Sequence, residues 1–205
     1  MMMAVMFVAS ATAFAGDSDA LKAILKAKTY AEAETLLNSS LASLANDAEK
    51  AKAYNKLVDL AYEAFNDQNA IITENQVNKQ MGKEEKPVDE KLMAEMAYNA
   101  LMAAQQCDNY DQKPNEKGKV SPKFDKKNAQ RLWTGPRNAL VNAGQDALTA
   151  HDNALARKYW QLFAESDAFP MFKECDREAQ KPFFGQVARF AAIFAYPYPC
   201  PDKRR

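Results

Sequence analysis

The chain has 205 residues, enough for one domain with a substantial core or for a stack of helix pairs, and neither arrangement calls for a second domain. Lys plus Arg and Asp plus Glu both number 27, so there is no strong field to gather nucleic acid or an anionic membrane surface. Three widely spaced cysteines, Cys107, Cys175 and Cys200, exclude a disulfide-dense scaffold and any paired-cysteine zinc site.

Residues 1–15 carry no charge and end in Ala13-Phe14-Ala15 before Gly16, the small-x-small pattern read by signal peptidase. This stretch reads as a signal peptide cleaved before Gly16. Its missing basic start is expected to reflect a start codon assigned too late. The expected organisation is a signal peptide over 1–15, a helical domain over 16–196 and an irregular tail over 197–205, in a protein that is periplasmic or secreted. No later run approaches the roughly 20 apolar residues of a membrane span. In an oxidising compartment Cys107 and Cys175 are candidates to pair; the alternative makes both small buried hydrophobes.

Ala, Leu, Glu, Lys, Gln and Met dominate, and no Pro occurs before Pro87, so helix is the expectation throughout. Asp17 or Ser18 caps a first short helix with Ala20, Ile24 and Leu25 on its apolar side. After the Thr29-Tyr30 turn, Tyr30, Ala33, Leu37, Leu41 and Leu44 recur at steps of three and four. Asn46 and Glu49 have the arrangement of a capping box, and Tyr54, Leu57, Val58, Ala61 and Phe65 form the next stripe, continuing towards Met81 or restarting after Asn66. Residues 82–87 are a charged break. Asp89 then caps a helix with the stripe Met93, Ala97, Ala100, Ala104, Cys107.

The segment from Asp108 to Phe124, DNYDQKPNEKGKVSPKF, lacks a period and reads as a long polar loop. Helical pattern returns over Asp125 to Leu132 and breaks at Gly135-Pro136, with Pro136 suited to a first helical position. Further helices are expected from Asp152 or Asn153 to about Ser166, and from near Pro182 with Phe184, Val187, Ala188, Ala191 and Phe194 on one side. The fold class is therefore all-α, with seven or eight helices in antiparallel pairs.

Between Arg137 and Pro170 the chain resembles a degenerate tetratricopeptide repeat, whose pattern is W-x2-L-G-x2-Y followed by A-x3-F and a closing Pro within about 34 residues. Leu140, Ala143, Gly144 and Ala147 fall on the first-helix positions, and Ala156 and Trp160 on A-x3-F. Gly144 and Ala156 are expected where the two helices cross, with Trp160 filling the adjoining groove. With the leader, KAYNKLVDLAYEAF, KGKVSPKF and GQVARFAAIFAY, residues 4–196 resemble secreted tetratricopeptide-repeat proteins of Gram-negative gut bacteria. The resemblance implies a helical solenoid and a role in protein interaction, and carries over no functional residue.

The end departs from that family, whose members continue with further repeats. PYPCPDKRR halts an apolar helix that ought to begin another pair, and three prolines in five residues cannot supply its partner. The expectation is a truncated product, the rival being a native cap. An unmatched face of Phe183, Phe184, Phe190 and Phe194 favours self-association through the 183–196 helix.

No catalytic, cofactor or metal signature emerges. His151, the single histidine, lies in an HDN turn with no paired nucleophile, and no G-x-S-x-G, phosphate-binding glycine loop or HExxH occurs. Asp108, Asp111 and Glu116 depart from the spacing of an EF-hand calcium loop. The expected function is that of a non-enzymatic adaptor, without cofactor, binding a protein or peptide. The alternative is binding of a carbohydrate or small ligand, with Tyr110, Trp133 and Tyr159 facing the ligand beside Trp160.

Overall fold

A computed structural model describes residues 16–115 and 118–195. The expected signal peptide, Glu116, Cys200 and the tail over 197–205 lie outside the described residues. Eight α-helices and four short 3-10 turns make up the ordered elements, and no strand occurs among the described residues.

Helix α1 (Asp19–Lys26) starts at Ser18, whose Oγ accepts from the Leu21 N–H. It buries Leu21 and Ile24, while Leu25, expected on the apolar side, is exposed. Three-residue spacing explains the difference: Leu21, Ile24 and Ala27 share the face turned inwards. Thr29 caps α2 (Tyr30–Ser40), which buries Ala33 and Leu37. The expected stripe leaves the helix there, because Leu41 belongs to a 3-10 turn and Leu44 is buried from an extended link.

Helix α3 (Asp47–Gln80) runs without a break through Asn66. Asn46 caps it by accepting from the Glu49 N–H at 2.9 Å, but Glu49 does not close the box. Its carboxylate accepts from the Ala45 N–H at 2.8 Å and from the N–H and hydroxyl of Ser18, each at 2.6 Å. A residue read as a local cap thus ties the start of α1 to the start of α3. Past Phe65 only Asn75 of α3 is buried, and its side-chain amide exchanges two 2.7 Å hydrogen bonds with the Lys86 backbone. Gly82, at φ +65°, ends the helix in a Schellman arrangement, with Lys83 N–H donating to Asn78 O and Gly82 N–H to Lys79 O.

Asp89 caps α4 (Glu90–Asp111) through the Leu92 N–H. Ala97, Ala100, Ala104 and Cys107 are buried as expected, joined by Met96, Leu101 and Ala103. Small side chains let α4 lie close along α3, antiparallel: Tyr110 stacks on Tyr54 with ring centres 5.7 Å apart at one end, and the Asp89 N–H reaches Gln68 at the other. The helix continues four residues, 108–111, into the stretch read as loop. Asp108 is buried, and the Asp111 carboxylate accepts the N–H groups of Lys123 and Phe124, so this last turn organises the segment that follows.

Helix α5 (Asp125–Leu132) leads through Trp133 into α6 (Gly135–Thr149), which pairs with α7 (Asn153–Glu165) across a tight turn where His151 takes φ 60°. Helix α8 (Lys181–Ala195) lies back along α7. Packing therefore passes from α3 to α4, α4 to α6, α6 to α7 and α7 to α8. Leu140, Gly144 and Ala147 on α6 and Ala156 and Trp160 on α7 are buried, with Ala143 half-buried. A Cβ on Gly144 would lie 2.5 Å from Cδ1 of the Trp160 indole. That indole donates to the Val141 carbonyl at 3.0 Å.

The aromatic face of α8 is not left open. Phe183 and Phe184 pack on Phe163, and Phe190 and Phe194 pack on Trp160, with ring centres 5.3–6.0 Å apart. Ile193 is the one large hydrophobic of the described part of α8 that is exposed.

Candidate functional site

A cleft of about 740 Å³ is bounded by α5, the start of α6, residues 170–180 and Phe183. Trp133, Met171 and Phe183 supply apolar surface, and Lys126, Lys173 and Glu174 bring both signs of charge to it. A cleft of this size with an aromatic wall suits a short peptide segment or a small molecule.

Trp133 is fixed before any ligand arrives. It sits in the link between α5 and α6, its Nε1–H donates to the Asp176 carbonyl at 3.0 Å, and Phe172 packs beside it at 5.1 Å. Behind it lies Arg137, a guanidinium with no exposed surface held 4.4 Å from the Trp133 ring and 4.2 Å from Phe163. Its Nε donates to Ser166 Oγ at 2.8 Å, one terminal nitrogen to the Phe163 carbonyl at 3.2 Å, and the other to Gln180 Oε1. Burial, opposed by nearby Asp167, brings this guanidinium down to about 10, and it stays charged at neutral pH. Gln180 in turn donates to Asn138 at 3.2 Å, so one buried cation joins α6, α7 and the residues leading into α8 behind the cleft.

Arg137 is not legible as a buried residue, because an isolated Arg on a helical sequence reads as surface. Its only sequence signal is position, at the head of a buried face whose other members are Leu140, Gly144 and Ala147.

The three aromatics expected to face a ligand are not brought together. Trp133 alone lines the cleft. Tyr159 is buried edge-on against Tyr98, with ring centres 6.1 Å apart. Tyr110 lies at the far end of α4 on Tyr54, with Lys50 and Lys113 over its ring. Trp160 is spent in the joint of α6, α7 and α8.

Cys107 and Cys175 do not pair; both are free thiols. Cys107 is buried with its Sγ 3.4 Å from the Ala51 carbonyl, while Cys175 is half-buried at the cleft. Burial pushes the Cys175 thiol up, with Arg177 and Arg137 only partly offsetting it, so it is not an activated nucleophile.

Next to the cleft, Asp108 and Asp111 of α4 approach Asp125 of α5, and the Gln112 amide bridges Asp108 at 3.1 Å and Asp125 at 2.7 Å. Burial, then the neighbouring Asp108 and Asp111 carboxylates, push Asp125 up to about 7 against the pull of Gln112. His151 is an exposed turn residue. No cluster with metal-ligand composition occurs among the described residues, and Glu116 lies outside them. No family model, curated protein or solved structure matches this chain.

Proposed function

We propose that the chain is an exported, non-enzymatic interaction protein whose tetratricopeptide-like helix pairs hold the Trp133 cleft open to a segment of a protein or peptide partner. The preformed cleft carries this reading: its aromatic wall is anchored by Asp176, Phe172 and the buried Arg137, so little ordering is left for binding to drive. The tetratricopeptide comparison draws support from Gly144 and Trp160, which meet between α6 and α7 at that repeat's spacing, and from Ala156, buried on α7. Export rests on the uncharged stretch ending at Ala15. Sugar stacking has less to stand on, because Trp133 is the only one of its expected aromatics at the cleft.

A photo-crosslinking residue in place of Gln130, at the cleft, tests the proposal against the same residue in place of exposed Glu63 on α3. A discrete crosslinked protein from the producing cells at position 130 alone, lost on Met171→Asp, is the expected result. No product, or the same product at both positions, would overturn the reading. Quenching of Trp133 by oligosaccharides in a Trp160→Phe background would move the assignment to a glycan-binding protein.

A further inference from the structure

A second concavity, separate from the Trp133 cleft, lies between α4 and α7. Tyr98 and Gln105 on α4, and Arg157, Lys158, Gln161 and Glu165 on α7, recur at helical spacing, so one face of each helix lines a groove of about 330 Å³. Arg157 lines the groove, and its Nε is buried and makes no hydrogen bond. Lys158 Nζ stands 4.1 Å from the centre of the Tyr98 ring, and neither cation has a carboxylate partner among the described residues. The one carboxylate lining the groove, Glu165, already accepts from the Gln161 amide at 2.7 Å.

Buried donors in folded proteins almost always have a partner, and a guanidinium fork matches the paired oxygens of a carboxylate or phosphate. The groove is at the small end of the size range of small-molecule sites and has no room for a folded partner. We propose that it binds a small oxyanion-bearing molecule, a carboxylate or a phosphate, with Arg157 as the anchoring donor and Lys158 as the flanking cation. The proposal does not depend on partner capture at the Trp133 cleft, and each stands or falls alone.

The test follows the Arg157 Nε–H resonance of the full chain by NMR while inorganic phosphate and, separately, citrate are added, with calorimetry giving the affinity. A saturable shift with Kd below about 1 mM is expected, with affinity at least ~10-fold weaker in Arg157→Gln and unchanged in Arg189→Gln on the exposed side of α8. Saturation by phosphate alone assigns a phosphate ligand, by citrate alone a carboxylate, and by both a site that reads oxyanion geometry in general. Absence of saturation up to about 20 mM of either anion, or equal affinity in Arg157→Gln, overturns the proposal. Should Arg157→Gln lose its helical circular dichroism, Lys158→Gln and Arg157→Lys provide the same comparison.

Discussion

At Gly144 two opposing effects can be weighed. Replacing a helical Gly with Ala gains about 1 kcal/mol of propensity, whereas forcing a methyl into a packed joint costs about 1–3 kcal/mol. The indole that would have to yield is held by Val141, Phe190 and Phe194, so it cannot swing aside as a flexible chain end would. Gly144→Ala is therefore expected to lower stability by about 1–2 kcal/mol in urea unfolding, with a shift in Trp160 emission. Arg137 gives a larger effect. Arg137→Met leaves Ser166, Gln180 and the Phe163 carbonyl without their buried donor, and a loss of roughly 2–4 kcal/mol is expected in the same assay. A surface Arg would show almost none.

At the scale of elements, the joint between α4 and α5 is where pH should act. Facing Asp125 are Asp108 and Asp111 of α4 and Gln112 just past its end, while Arg131 and Lys127 of α5 are engaged by Asp59 of α3. The folded state holds the Asp125 proton to about pH 7, against an ordinary value of 3.8. Its contribution to stability is thus complete below pH 3.8 and is lost as pH rises through about 7. Asp125→Asn removes this dependence. Its urea midpoint relative to the parent chain should rise between about pH 4 and pH 7 and level off above, and a flat difference would show that the fold does not hold the Asp125 proton.

Helix starts were legible to within a residue: Ser18, Asn46, Asp89 and Asp152, and Thr29 where only a turn was read, each accept from the N–H three residues on, a bond made within a single turn. The extension of α4 to Asp111 was not legible. It depends on Tyr54, more than fifty positions earlier, and on Lys123 and Phe124 beyond the loop.

For the whole molecule, α8 closes the described helical array by covering Trp160 and Phe163. Removing residues 181–205 should expose both rings, with self-association in light scattering and a red shift of Trp emission as the expected signs. Ile193→Lys, which alters only the exposed side of α8, should leave the molecular mass in solution unchanged.

The sequence by itself determined the helices, their caps and most of their buried stripes, because capping and amphipathic spacing act over a few residues of chain. It also placed Gly144 against Trp160. Only the tertiary structure decided which stripes meet. It turned Glu49 from a local cap into a tie to Ser18, buried Arg137 among three aromatic rings, separated Tyr110 and Tyr159 from Trp133, and left Arg157 in a groove without an acceptor. Each of these depends on side chains brought together from distant parts of the chain, and no periodicity within one helix encodes its neighbour.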